Sequence, residues 1–192
     1  MSDVKSIILV GVGGQGTILA SKILSEGLAD AGYDVKMSEI HGMSQRGGSV
    51  STQVRFGDKV RSPLVDKAEA DVIVAFEKME ALRWLEYLKP GGKMVINDFV
   101  IPSAPILMGA AVYPEGIIEE LSALVDTFVI KAEDIAESLG NIKAMNIVLL
   151  GALVSRMDVP DVDWEKIIKR NVKAAFVELN TEAFKKGSCI NY

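Results

Sequence analysis

The sequence predicts an α/β protein with a mostly parallel sheet flanked by helices and a helical C-terminal third. Three observations lead to this prediction. Short apolar segments of strand length alternate with segments of helical periodicity. A glycine-rich turn joins the first strand to the first helix. After residue 145 the apolar residues follow helical spacing almost to the C-terminus. The length of 192 residues suits one α/β domain, so residues 1–192 are expected to form a single domain.

The N-terminal segment has the pattern of a βαβ unit. Val4–Val12 is predicted to be a buried strand, because its centre is a continuous and largely β-branched apolar run. Thr17–Ala31 carries apolar residues at helical spacing, and Gly32 ends this helix. Asp34–Ile40 is the second predicted strand. Strand, glycine turn, helix and strand in this order indicate a Rossmann-like fold.

The middle of the chain alternates between strands and one helix. Alternation of Val, Thr and Phe side chains predicts a half-exposed strand over Ser49–Phe56, and Gly57-Asp58 indicates a turn. A short antiparallel strand would then return. The predicted elements are this returning strand (Lys59–Ser62), a buried strand (Asp71–Phe76), a helix (Glu77–Leu88), a break (Lys89–Gly92) and a strand (Lys93–Asn97).

The last third is mainly helical. Its most apolar segment, Met145–Met157, predicts a helix buried on most faces. Trp164–Lys186 predicts one or two amphipathic helices that Gly187 ends. The predicted elements before these are a strand (Ile106–Val112), a helix (Pro114–Leu124), a short strand (Thr127–Lys131) and a helix (Ala132–Leu139).

The net charge and the distribution of charges indicate which kinds of partner the chain can bind. The net charge is −5, from 21 Lys and Arg against 26 Asp and Glu, and the charges are interspersed. We therefore expect neither nucleic acid nor a membrane surface as a partner. The single cysteine, Cys189, can form no internal disulfide, which favours a reducing compartment. The N-terminus does not predict a signal peptide, and no apolar run is long enough to predict a membrane span.

The turn at residues 11–16 matches the G-x-G-x-x-G pattern of dinucleotide-binding proteins. Its candidate ligand-facing residues are Gly11, Gly13, Gly14, Gln15 and Gly16, and Glu39 lies where a ribose-binding acid would be. A free-standing NAD(P)-dependent Rossmann dehydrogenase is therefore an alternative function. Glycines in a tightly packed strand–helix turn can also be purely structural. After Glu39 the chain enters a loop and an alternating strand, where a nucleotide-binding half would need another helix.

The loop at residues 41–48 is the second candidate site. It contains the only histidine of the chain, and its candidate residues are His41, Ser44, Gln45, Arg46, Gly47 and Gly48. Arg46 offers a planar donor for a carboxylate or phosphate, and the two glycines would let backbone amides approach an anion. The same residues can equally be structural, with His41 hydrogen-bonded and Arg46 pinning the loop.

The sequence contains no recognisable reaction centre. We expect no Ser-His-Asp triad, because the chain has only one histidine, and no C-x-x-C or H-x-x-x-H spacing indicates a metal site. A thiamine diphosphate motif and a phosphate-binding loop of the G-x-x-x-x-G-K type are also missing. We therefore assign no catalytic residue and no metal ligand to this chain. These features favour a subunit that completes a site built largely by another chain.

Several motifs together resemble a known family. They are GVGGQG at residues 11–16, EIHGMSQRGGSV at residues 39–50, Val54-Arg55, Ser62-Pro63, Ala70-Asp71-Val72, Phe76-Glu77 and Lys89-Pro90-Gly91-Gly92. With them the chain resembles the gamma family of 2-oxoacid:ferredoxin oxidoreductases over about residues 5–187. Within that family it is most similar to the small subunits of the indolepyruvate branch.

The resemblance implies a division of labour between two subunits. The larger alpha subunit would bind thiamine diphosphate, Mg²⁺ and 4Fe–4S clusters. The complex would decarboxylate an arylpyruvate such as indolepyruvate, pass the electrons to ferredoxin and form the acyl-CoA thioester. The small subunit would pack against the catalytic one, bind none of these cofactors and be inactive alone. Such complexes are cytoplasmic and typical of anaerobes.

The two loops are the expected contact with the larger subunit. We hypothesise that Gly13–Gly16 and Ser44–Gly48 face the catalytic subunit and border the entrance for CoA or the oxoacid. A scaffold that contacts no ligand is a third possibility. An exposed interface would favour a homodimer of the isolated chain.

Overall fold

The computed structural model of the chain describes residues 4–41, 48–157, 159 and 162–190. The strands within these residues are β1 (Lys5–Val12), β2 (Asp34–His41), β3 (Ser49–Gly57), β4 (Ala70–Ala75), β5 (Leu88–Asn97) and β6 (Asp126–Ile130). The helices are α1 (Thr17–Asp30), α2 (Lys78–Trp84), α3 (Ala104–Leu107), α4 (Ile117–Leu124), α5 (Ala132–Ser138), α6 (Met145–Val154), α7 (Trp164–Asn171) and α8 (Val177–Ser188). Short 3-10 turns precede β5, α6 and α8.

The six strands form one mixed sheet in the order β2-β3-β1-β4-β5-β6. β1, β4, β5 and β6 pair in parallel, whereas β3 is antiparallel to both β1 and β2. All strands except β3 therefore point the same way, which confirms the predicted α/β class. β1 and β2 run in the same direction, but the hairpin partner β3 lies between them. The carboxyl ends of β1, β4 and β5 consequently meet at one edge of the sheet.

Helices cover both faces of the sheet. Successive residues of a strand point to opposite faces, so Ile7 and Leu9 of β1 join one core cluster and Ile8 and Val10 join the other. The first cluster is closed by α1, α5, α6, α7 and α8, and the second by α2 and α4. α6 is the central helix of the larger layer, with nine of its ten residues buried. This confirms the prediction of a helix that is buried on most faces.

Two glycines allow α6 and α8 to approach closely. A Cβ atom on Gly151 would lie 2.2 Å from the carbonyl oxygen of Phe184, and one on Gly187 would lie 2.0 Å from that of Val148. These distances are too short for real atoms, so the backbones touch where both side chains are missing. Gly187 was expected to end the helix, but it lies inside α8 and serves this contact.

Two predicted strands are wrong. Residues 59–62 form no strand, because Asp34 Oδ2 accepts a hydrogen bond from the Val60 amide at 2.8 Å and holds the segment beside β2. Residues 106–112 also form no strand. They contain the end of the short helix α3 and a turn at Gly109, whose φ of 73° suits glycine. Neither segment pairs with a strand of the sheet.

Two other expectations need correction. β3 is not half-exposed, because seven of its nine residues are buried. The face that its alternation assigns to solvent is covered by the following segment, where the Val65 amide donates to Gln53 Oε1 at 2.7 Å. Lys89–Gly92 is not a break before a strand. It belongs to β5, with an irregular register opposite Ala70 and Val72.

No helix in the described part of the chain is both long enough and apolar enough to cross a membrane.

Candidate functional site

The glycine turn lies at the carboxyl end of β1, where β4 begins the other half of the sheet. Gly11 is the penultimate residue of β1, and Gly14 and Gly16 adopt φ values of 105° and 80°. These values favour glycine, because a side chain would clash with its own backbone. The turn delivers the chain to the N-terminus of α1, whose N-cap residue is Gly16. Of the three glycines in the G-x-G-x-x-G pattern, Gly16 is favoured by its positive φ and Gly11 by close packing, because a Cβ atom there would lie 2.9 Å from the Cβ atom of Phe76.

Gln15 fills the crevice between β1 and β4. Its side chain is buried, with its Oε1 accepting from the Val12 amide at 2.8 Å and its Nε2 donating to the Phe76 carbonyl at 2.8 Å. A Cβ atom on Gly11 would lie 2.9 Å from Gln15 Oε1. Gln15 thus joins the ends of the two strands at the position where open α/β sheets usually bind ligands.

Asn146 fixes the other side of the turn. Its Nδ2 donates to the Gly16 carbonyl at 3.1 Å, and a Cβ atom on Gly16 would lie 2.5 Å from that nitrogen. The first turn of α1 is thereby clamped to the start of α6. A cavity of about 440 Å³ opens beside Asn146 and contains amide and lysine side chains from the helical layer. The sequence offered no signal for this contact, because the two residues are 130 positions apart.

The structure brings the two candidate loops together. The Gly13 amide donates to the Gly48 carbonyl at 2.9 Å, so the end of the 41–48 loop lies against the glycine turn. His41 ends β2, and its backbone pairs with Val50. The His41 side chain and the candidate residues Ser44, Gln45, Arg46 and Gly47 lie outside the described residues. Their predicted roles remain predictions.

The geometry weighs against a dinucleotide site of the usual kind. The amides of Gly13 and Gln15, which a phosphate-binding turn would direct at its ligand, donate instead to the carbonyls of Gly48 and Val12. Glu39 lies on the edge strand β2, and β3 separates it from β1. Glu39 is therefore about 10 Å, or two strand spacings, away from β1. This placement removes the main support for the NAD(P)-dependent alternative.

A buried acidic cluster at the same edge was missed by the sequence analysis. Glu77 is 1% exposed and caps α2, and its carboxylate accepts from the Glu80 amide at 3.1 Å, the Ile101 amide at 3.3 Å and the Tyr113 hydroxyl at 2.5 Å. Such a carboxylate acts as a brace, because its hydrogen-bonding capacity is used in holding three chain segments. An acid placed directly after the buried strand β4 was the available signal.

Tyr113 is held as a hydrogen-bond donor. Burial raises the pKa of the Tyr113 phenol above its ordinary value of 10.0, and the hydrogen bond to Glu77 and the charge of that carboxylate raise it further. The phenol also accepts from the Met79 amide at 3.1 Å. Tyr113 is consequently protonated at neutral pH and supports the N-terminus of α2 instead of supplying a base.

Glu80 and Asn97 extend the polar edge on either side. Glu80 accepts from the Ser49 hydroxyl at 2.5 Å and from Arg83 Nε at 3.2 Å, so it connects α2 to the end of the 41–48 loop. Asn97 is fully buried at the carboxyl end of β5, donates to the Phe76 carbonyl at 3.2 Å and accepts from the Ala132 amide at 3.0 Å. Hydrogen bonds at this edge therefore join α2 to the start of β3, and the end of β5 to the chain after β4 and to the start of α5.

Comparison with known proteins identifies the family. The family model for pyruvate ferredoxin/flavodoxin oxidoreductase matches residues 6–189. The chain belongs to this family. The family resemblance that the glycine turn and the 39–50 motif indicated is thereby confirmed.

Relatives within the family are subunits of oxidoreductases. "Indolepyruvate oxidoreductase subunit IorB" of Pyrococcus horikoshii is 40% identical over 190 residues, which cover 95% of this chain and 93% of that one. The protein of the same name from Thermococcus kodakarensis is 38% identical over 190 residues, with the same coverage of 95% and 93%. The crystal structure of the keto/oxoacid ferredoxin oxidoreductase gamma subunit of Geobacter sulfurreducens is 26% identical, with a TM-score of 0.71 and 96% of each chain covered.

Proposed function

We propose that this chain is the small subunit of a 2-oxoacid:ferredoxin oxidoreductase of the indolepyruvate type. The observation that carries the proposal is 40% identity to an indolepyruvate oxidoreductase subunit across 95% of the chain. In this function the chain assists oxidative decarboxylation of indolepyruvate or another arylpyruvate to its acyl-CoA, with the electrons passed to ferredoxin. The chain works in the cytoplasm as part of a hetero-oligomer and is inactive alone.

The cofactors of the reaction belong to the larger subunit in this proposal. A 4Fe–4S cluster is usually held by four cysteine thiolates, and this chain has only the exposed Cys189. Among the described residues, no three His, Cys, Asp or Glu side chains are grouped as a metal site. The residues of this chain therefore do not fit a cluster, and its acidic edge residues already hold protein groups. Thiamine diphosphate, Mg²⁺ and the clusters are assigned to the alpha subunit.

The contribution of this chain is a shaped surface at the carboxyl edge of the sheet. The glycine turn and the 41–48 loop adjoin each other through the Gly13–Gly48 hydrogen bond, and the N-terminus of α1 adds its positive dipole end. In the proposal this surface faces the catalytic subunit and borders the entrance for CoA or the oxoacid. Arg46 supplies a guanidinium to an anionic group there.

Substitution of Arg46 tests the role of the loop. In the reconstituted complex, Arg46→Ala should raise the apparent KM for CoA or for the oxoacid, by about tenfold if one charge-assisted hydrogen bond is lost. The matched control is Arg61→Ala, an exposed arginine after β3. Steady-state kinetics with varied CoA and varied oxoacid measures both. Equal KM values for the two variants and the wild type would discard the role of Arg46.

Anaerobic purification tests the function itself. A tagged chain recovered from its native source should bring with it a larger protein that shows the visible absorbance of iron–sulfur clusters. Micromolar binding of NAD(H) by the isolated chain, with no such companion, would instead support the dehydrogenase. That result would contradict the proposal.

A further inference from the structure

Most of the connection between β5 and α4 is uncharged, and its centre is exposed. Residues 99–114, here named the arm, contain no Asp, Glu, Lys or Arg. Within the arm Leu107, Met108 and Val112 are 74%, 75% and 87% exposed. Single exposed apolar residues are common, but a contiguous apolar segment without charge is typical of an interaction site.

Both ends of the arm are fixed to one buried carboxylate. Glu77 Oε1 accepts from the Ile101 amide at 3.3 Å near the start of the arm and from the Tyr113 hydroxyl at 2.5 Å near its end. The Lys78 amide also donates to the Phe99 carbonyl at 3.0 Å. The exposed centre is therefore presented on a fixed base. A surface that is ordered before binding loses less conformational entropy on association.

The arm begins at the edge of the sheet that carries the glycine turn. It follows β5, whose last residue, Asn97, donates to the Phe76 carbonyl at 3.2 Å. Gln15 of the glycine turn donates to the same carbonyl oxygen at 2.8 Å. The base of the arm and the glycine turn thus share one hydrogen-bond acceptor, so a partner that covers this edge would meet both.

We propose that the arm inserts into an apolar groove of the larger catalytic subunit. This inference rests on the proposed function, which names that subunit as the partner. The arm lacks charge, so its receptor must be apolar, because an unpaired charge facing the arm would be desolvated without compensation. Its position next to the glycine turn makes it continuous with the surface that the proposed function turns toward the same subunit.

A second copy of this chain offers a poor receptor. Four cavities on the described surface are each lined by three or more charged or amide side chains. The cavity of about 260 Å³ at the opposite edge, for example, is lined by Lys5, Asp71, Lys89, Lys93 and Arg156 among others. Inserting Leu107 or Met108 into such a cavity would desolvate these groups at a cost. These four cavities therefore do not favour a second copy, and the position of the arm beside the glycine turn favours the larger subunit.

Serine substitutions in the arm test the proposal in the complex. The variant L107S/M108S/V112S, co-expressed with the tagged large subunit, should be retained at least about tenfold less than the wild type, since it removes the apolar surface that three side chains would bury in the groove. The control is Leu64→Ser. Leu64 is 55% exposed and lies near the opposite edge of the sheet. Its carbonyl accepts from the Arg55 side chain, and the Arg55 backbone pairs with Ser6 near the start of β1. The control should be retained like the wild type.

A second variant tests whether anchoring of the arm at Glu77 contributes to binding, and it leaves the exposed apolar side chains of the arm unchanged. Tyr113→Phe removes the hydrogen bond that ties the end of the arm to Glu77 and should lower retention by about threefold, as expected for one hydrogen bond. Thermal unfolding of each isolated variant shows whether it folds. Because the three substituted side chains of the serine variant are exposed, its unfolding temperature should match that of the wild type.

The outcomes separate this inference from the proposed function. If the wild-type chain itself is not retained by the large subunit, the proposed function is wrong. If the wild type and the serine variant are retained equally, the proposed function stands and the arm is not the contact. If the isolated wild type is a dimer that the serine variant disrupts, while retention is unchanged, the arm binds a second copy and the inference is overturned.

Discussion

Gln15 is the residue on which the geometry of the glycine turn depends most. Its buried amide pairs with the Val12 amide and the Phe76 carbonyl, both at 2.8 Å. Gln15→Ala leaves the Val12 N–H without its partner, whereas the Phe76 carbonyl keeps its bond to Asn97. We expect the free energy of unfolding to fall by about 1–3 kcal/mol. Urea unfolding measures it, with Ile18→Ala, an exposed substitution in the first turn of α1, as control. Equal midpoints for the two variants would contradict this role.

Alanine substitutions at Gly14 and Gly16 distinguish the cost of backbone strain from the cost of a steric clash. Both have positive φ, but a Cβ atom on Gly14 meets nothing within 4 Å, whereas one on Gly16 lies 2.5 Å from Asn146 Nδ2. Gly14→Ala should cost about 1–2 kcal/mol through strain alone. Gly16→Ala should cost more, and Asn146→Ala in the same chain should recover the excess. Chemical unfolding of the three variants checks the order. Equal losses at the two glycines would refute the contact with Asn146.

At the scale of elements, Asp34 explains why the chain after β3 does not return as a strand. The hydrogen bond from Lys36 lowers the pKa of the Asp34 carboxyl below its ordinary value of 3.8, and the hydrogen bond from the Val60 amide lowers it further. A lowered folded-state pKa means that the ionised carboxylate adds stability above pH 3.8. This stability is lost as the pH falls through the folded-state pKa.

Asp34→Asn should therefore lower the unfolding temperature slightly near neutral pH, and the difference from the wild type should shrink as the solution is acidified below pH 3.8. Thermal unfolding at several pH values gives the difference. Asp66→Asn, an exposed acid after β3, is the control. A difference that grows on acidification would have the wrong sign.

The sequence predicted the elements that depend on local patterns and failed for those that depend on distant contacts. β1, α1 and α6 follow from local patterns, because continuous apolar runs and helical spacing decide them. The burial of β3 and its position between β1 and β2 depend on pairing with distant residues, which no local pattern records. The turn of the candidate site was predictable from its glycines. Asn97 and Asn146 were not, because each acts through partners that only the folded chain brings close. The position of Glu77 just after β4 was a signal, but its partners Ile101 and Tyr113 left none in the sequence.

At the scale of the whole molecule, the polar side chains at the carboxyl edge of the sheet hold the fold together, and the proposed function leaves the chemical reaction to the larger subunit. The carboxyl edge of the sheet carries buried amides and carboxylates whose hydrogen bonds hold protein segments together. Tyr113 is kept protonated, since burial and the neighbouring Glu77 raise its pKa. We propose that a chain built in this way supports a neighbouring active site and does not oxidise a 2-oxoacid unaided.

Reconstitution tests directly whether the chain needs the large subunit to oxidise a 2-oxoacid. The chain, the large subunit and their mixture are each assayed for reduction of ferredoxin that depends on indolepyruvate and CoA, under anaerobic conditions. We predict no turnover by this chain alone, little by the large subunit alone and full activity for the mixture. Turnover by the isolated chain, or a large subunit whose rate does not change when the chain is added, would contradict the account.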